Sequence, residues 1–220
     1  MAQKLKAGFD DALADLKRRG LMLVHDSTFP SLTGLTIGEP IRGSWWAHPL
    51  SNDVYNISQQ LQHCGEVAQT KLVSGKETYV HRKLWPHLIA IGISREAWQL
   101  DSLTAPTREL LEEADRAGSI RMDQIKSTRP RKELSEDART LAARLLVHAD
   151  DVHTESGAHA RRLETWQSWA NRHQIAIAQL PSASEARYEF ERIVLDANRE
   201  FSADAFLPWQ KKPRRKRNTG

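Results

Sequence analysis

Two short glycine turns constrain this chain most. Ser74-Gly75-Lys76 lies between residues 68–73 and 77–82, and Ser156-Gly157 lies between Val152-His153-Thr154 and residues 159–163. β-Branched and aromatic residues on both sides of a glycine-containing turn predict two β-hairpins. A tryptophan follows each turn: Trp85 is ten residues after Gly75, and Trp166 is nine after Gly157. The echo is that of an internal duplication. A lone hairpin is barely stable in water, so each requires packed helices.

The helices are legible around these turns. Leu5, Phe9, Leu13 and Leu16 recur at helical spacing over residues 3–19, before Lys17-Arg18-Arg19-Gly20 as a stop. Leu21-Met22-Leu23-Val24 reads as a short buried strand, and residues 26–50 as a long loop rich in Pro, Gly, Ser and Thr. Ser51 caps a helix carrying Val54, Ile57 and Leu61, which stops near Gly65. A further helical segment opens at Leu84-Trp85-Pro86 and ends at Gly92.

The pattern then restarts. Thr104 caps a helix with Leu110, Leu111, Ala114 and Ala117, closed by Gly118. Ser119-Ile120 is extended, Arg121 to Ile125 reads as a turn of helix, and Lys126–Lys132 is a basic loop. Ser135 caps a helix with Ala138, Leu141, Ala142 and Leu145 on one face. Trp166 and Trp169 begin another after the second hairpin, and Ser182 with Glu185 forms a capping box before Phe190, Ile193, Val194, Ala197 and Phe201. Helix, extended piece, helix, helix, hairpin is the winged-helix order. The expected fold is α+β, mainly helical: tandem winged-helix units with two β-hairpin wings and a C-terminal helix. The boundaries read as 1–100, 101–207 and a basic tail, 208–220.

Charge placement bears on partners. Lys211, Lys212, Arg214, Arg215, Lys216 and Arg217 carry six positive charges with no acidic residue among them, and the formal charge of +4 less those six leaves −2. A short basic tail neutralises phosphates without needing a fold. Further cations lie on the wings: Lys71, Lys76, Arg82 and Lys83 on the first, Arg161 and Arg162 on the second. Base reading needs amides or arginine on a helix, and residues 51–64 hold Asn52, Asn56, Gln59, Gln60 and Gln62. Helix 135–147 offers Arg139 and Arg144 but opens with Glu136 and Asp137. No apolar run reaches the roughly 20 residues of a membrane span. The N-terminus does not read as a signal peptide, and Cys64 alone makes no internal disulfide, which fits a cytoplasmic protein, nucleoid-associated if it binds DNA.

Three constellations invite chemistry. His148, Asp150, Asp151, His153, Glu155 and His159 are metal-type ligands, but their spacing matches no metal motif and reads first as a solvent-exposed wing, with a metal site or a His153–Glu155 acid–base pair as alternatives. Trp45-Trp46 in an extended loop would point one ring inward and one outward; such a pair reads first as an anchor of the loop on the core, with base stacking by the exposed ring beside His48 as the alternative. Trp85, Trp166 and Trp169 read as core. Phosphate-binding, dinucleotide and nucleophile-elbow motifs are absent from the sequence. No catalytic residue, metal or cofactor is assigned.

Gly43-Ser44-Trp45-Trp46-Ala47-His48-Pro49, Lys71–Lys76, Arg82–Pro86 and Val152–His159 resemble a family of bacterial proteins marked by Ser-Trp-Trp-x-His-Pro. More distantly, the tandem wing pattern resembles winged-helix DNA glycosylases of the AlkZ type, which carry a Gln-apolar-Gln or Gln-apolar-Asp motif. Gln60-Leu61-Gln62 matches its letters from inside a predicted helix, and no catalytic role is carried over. The resulting expectation is a non-catalytic winged-helix protein that binds double-stranded DNA. The alternatives are an enzyme acting on DNA, either a glycosylase or a metal-dependent hydrolase, and a winged-helix module for a protein partner.

Overall fold

A computed structural model describes residues 4–41, 43–153 and 159–212, with the side chain of His153 left aside. It is α+β with two three-stranded sheets. Contacts divide the chain into two units. The first holds residues 1–67, 72–81 and 190–220, and the second holds 68–71 and 82–189. This division differs from the sequence boundaries of 1–100 and 101–207, because residues 82–100 belong to the second unit and the C-terminal half of the last helix belongs to the first.

In the first unit, α1 (Phe9–Arg19) starts later than its periodicity predicts. The Lys6 N–H donates to the Thr36 carbonyl, and the Asp11 carboxylate accepts the Gly8 N–H at 3.0 Å, so the helix opens after Gly8. β1 (Leu21–Leu23) is wholly buried. The expected loop contains α2 (Leu32–Ile37), whose cap Ser31 accepts the Gly34 N–H and which ends at Gly38 with φ +84. This six-residue helix is too short to be stable alone and exists by burying Leu32 and Ile37. A 3-10 turn, Trp45–Ala47, leads to α3 (Ser51–His63), in which Val54, Ile57 and Leu61 face inward as expected. Ser51 is its first helical residue; Leu50 holds the cap position.

β2 (Val67–Lys71) and β3 (Glu77–His81) form the first hairpin, in a sheet ordered β1-β3-β2 with Leu21 opposite Val80 and Leu23 opposite Thr78. The core joins Leu16, Met22, Leu32, Val54, Leu61 and Tyr79. Tyr79 is fully buried, and its hydroxyl meets Ser58 Oγ at 2.6 Å.

The second unit comprises α4 (Trp85–Ser94), α5 (Ala97–Leu100), α6 (Ala105–Ala117), β4 (Ser119–Arg121), α7 (Arg131–Ala143), β5 (His148–His153), β6 (His159–Glu164) and α8 (Trp166–Arg172). Thr104 and Thr165 cap α6 and α8 through their hydroxyls. Residues 122–124 form a turn, not helix. α7 begins four residues before the predicted Ser135 cap and ends before Leu145, which takes φ +53 as the chain turns toward β5. The helix starts early because Pro130 fits its N-terminus and Asp137 is held by Arg129 and Thr107, both at 2.6 Å. The sheet order is β4-β6-β5, the same first-third-second order as the other sheet. Its core joins Leu110, Ala114, Leu141, Leu146 and Leu163.

α9 (Ala183–Phe201) opens on the predicted capping box, with Glu185 accepting the Ser182 N–H at 2.9 Å and Ser182 Oγ accepting the Glu185 N–H at 3.3 Å. Among the described residues, no helix is long and apolar enough to cross a membrane.

Candidate nucleic-acid interface

The cations singled out in the sequence have different surroundings. Lys76, at the first hairpin turn, is bonded to Asp26. Burial alone would raise the Asp26 carboxyl, but the Lys76 ammonium and donors from Phe29 and Thr28 outweigh it and hold it at about 2. Lys71 is half-buried, while Arg82 and Lys83 are exposed beyond β3. In the second hairpin, Arg162 makes two bonds to Asp150, at 2.9 and 2.5 Å, and Arg161 bonds Asp151 at 3.3 Å. The pairs follow from register, because Asp150 lies opposite Arg162 and Asp151 opposite Arg161. The second hairpin's arginines are thus charge-compensated by their own sheet. Lys211 and Lys212 are exposed, whereas Arg214, Arg215, Lys216 and Arg217 lie outside the described residues.

Those ion pairs also take apart the polar cluster seen in the sequence. Asp150 and Asp151 serve the arginines, Glu155 lies outside the described residues, and His148 is buried opposite Glu164. Among the described residues, no three His, Cys, Asp or Glu side chains are grouped to hold a metal ion. His148 lies against Trp166 at 5.7 Å and Trp169 at 5.6 Å, with no hydrogen-bond partner for Nδ1. Burial pushes its pKa down to about 4, against the pull of Asp150 and Glu164. Trp166 and Trp169 are buried beside it, and Trp85 packs edge-on against Trp169, as core.

α3 presents a different surface. Asn52, Tyr55, Asn56, Gln60 and His63 are exposed, and Asp53 is the one carboxylate on the helix. Gln60 points outward, Leu61 is in the core, and Gln62 donates to Ser58 Oγ at 3.1 Å. The Gln60-Leu61-Gln62 letters therefore divide among solvent, core and an internal hydrogen bond. Cys64 donates to the Leu61 carbonyl at 3.1 Å, as a structural residue would.

Trp45 and Trp46 do not point apart as an extended loop would place them. The 3-10 turn stacks them, with ring centroids 4.1 Å apart and planes at 24°. Trp45 is buried, Trp46 is 60% exposed, and Tyr55 of α3 stands 6.0 Å from Trp46.

The C-terminal segment is the feature sequence reasoning missed. The Ser74 N–H at the first hairpin turn donates to the Phe206 carbonyl at 2.7 Å, and the Phe206 N–H returns to Ser74 Oγ at 3.3 Å. Asn198 brackets Ala205 through both amide atoms, Leu207 is fully buried, and Trp209 donates to Glu191 at 2.7 Å. Residues 203–209 are thus tied to α9, and Phe206 alone among them to the turn of the first hairpin; Lys211 follows soon after. Only Leu207 and Trp209 near the chain end hinted at this anchoring. No known protein family, curated protein or solved structure matches the chain.

Proposed function

We propose that the protein binds double-stranded DNA without catalysis, as a tandem winged-helix protein whose first unit engages the nucleic acid. The shared first-third-second sheet order, each sheet fed by helix, strand and helix, supports the winged-helix reading. The observation that carries the function is the C-terminal segment on the first hairpin. Through it, the segment preceding Lys211 is anchored at Phe206 to the turn of the first hairpin, in the unit whose α3 carries the amide face. Phosphate contacts position a duplex, and amides on a helix suit base edges in the major groove.

The second unit favours a protein partner. Its α7 exposes Lys132, Glu133, Glu136 and Arg139, and its wing arginines are compensated, so it offers a mixed-charge surface.

The test is fluorescence polarisation with a mixed-sequence duplex across a salt series. Deleting residues 211–217 should lower the slope of log affinity against log salt by up to about 5, from six phosphate contacts at ~0.9 each. The double variant Asn56→Ala, Gln60→Ala should weaken binding about tenfold with the slope unchanged. A tail-deleted chain that binds no duplex even at low salt would remove the winged-helix surface from the reading.

A further inference from the structure

We propose that Trp46 is a stacking platform for an unpaired DNA base, so that the preferred ligand is a duplex bearing a single-stranded junction. This inference rests on the DNA-binding reading above and names the DNA feature recognised.

Trp46 is held outward by its surroundings. The His25 ring bridges Thr33 Oγ1 at 2.9 Å and the Gly43 carbonyl at 3.0 Å, which pins the start of the loop. Gly43 turns the chain with φ +88, and the His48 N–H closes the 3-10 turn on the Trp45 carbonyl at 3.0 Å. His48 Nδ1 then accepts the Leu50 N–H at 3.2 Å, and the Ser51 N–H donates to the His48 carbonyl, which leads the loop directly into α3. Trp45, buried beneath, supports the Trp46 ring. The ordering cost of presenting an indole is thus met by the fold, which is what preorganisation means for a ligand.

The chemistry around the ring selects the occupant. Tyr55 is 44% exposed beside it, and the rest of the outward face of α3 is amide and imidazole: Asn52, Asn56, Gln60 and His63. Trp46 and Tyr55 are the only exposed large hydrophobics from the 3-10 turn and α3. A stable protein interface needs on the order of 800 Å² per partner with an apolar centre, and two rings among amides fall far short. A nucleobase has the matching profile, with a π-face for the indole and an edge for the amides. Paired bases hide their faces within the stack, so the platform serves a base that has left it.

The experiment compares a blunt duplex with the same duplex carrying a five-nucleotide oligo-dT overhang, by fluorescence polarisation on the full chain. The overhang should tighten binding by about 5- to 150-fold, the range for one base stacked on an aromatic ring. Trp46→Ala should erase that gain and leave blunt-duplex affinity and the salt slope unchanged, with the melting temperature lowered only by the loss of the ring stacked on Trp45 and the chain still folded. Tyr55→Ala should reduce the gain in part, and Trp46→Phe should restore part of it relative to Trp46→Ala. Equal binding of both DNAs by the full chain overturns the platform while DNA binding stands. Equal weakening of both DNAs by Trp46→Ala also overturns it. Failure to bind either DNA overturns the DNA-binding reading, and the platform with it.

Discussion

Replacing His148 with Leu should remove most of the protein's loss of stability between pH 7.5 and 5. Protonated His148 would carry a full charge and a second N–H into the space between Trp166 and Trp169, where Nδ1 has no acceptor. Its pKa is about 4 in the fold, against 6.5 when exposed. A histidine with a lowered folded pKa binds more protons when unfolded, so stability rises with pH through this window. It is fully present above the unfolded value and is lost as pH falls toward the folded one. The whole difference is worth about 3 kcal/mol, of which about 2 kcal/mol is lost by pH 5. Stopping at pH 5 keeps the lowered carboxylates, Asp26, Asp123, Glu185 and Glu200, largely out of the measurement. His173, lowered by burial and by Arg172, acts in the same direction and remains in the variant. Urea unfolding followed by tryptophan fluorescence at several pH values, on the protein and on His148→Leu, reads the difference. Parallel stability curves would refute the reasoning.

Other outcomes follow from single contacts. Gly92→Ala would place a Cβ 2.1 to 2.4 Å from the Trp166 ring, which is fully buried and tied to the Leu145 carbonyl at 2.8 Å; melting should show a loss of about 1–3 kcal/mol or more. Ser58→Ala removes one of two partners of the buried Tyr79 hydroxyl and leaves Gln62 beside it, so the loss by urea titration should be about 1 kcal/mol. Asp26→Asn keeps the acceptor for the Thr28 and Phe29 N–H groups but loses the ion pair with Lys76, so neutral-pH stability should drop by about 1 kcal/mol, discounted for solvent screening. That difference should vanish as pH falls from about 3.8 to 2, where the native aspartate is protonated too.

The local elements were written in the sequence because their causes are local. Val54, Ile57 and Leu61 recur at helical spacing, Ser182 and Glu185 sit at capping distance, and Gly75 marks the first turn, so helix, cap and hairpin needed nothing remote. The same holds for Trp85, Trp166 and Trp169 as core. α2 escaped that reading because six residues with a glycine and two threonines have no helical signal of their own; Leu32 and Ile37 make it a helix only by being buried. The compensation of Arg161 and Arg162 depends on strand register, which sets Asp151 and Asp150 opposite them across twelve or fewer residues of chain. The stacking of Trp46 on Trp45 depends on a 3-10 turn where an extended loop was expected. The bond between Ser74 and Phe206 joins residues 132 apart, and no periodicity or local propensity encodes such a distance. A chain can announce how its residues prefer to turn; which distant backbone groups and charges then satisfy one another is decided only when burial brings them together and leaves them no water to bond instead.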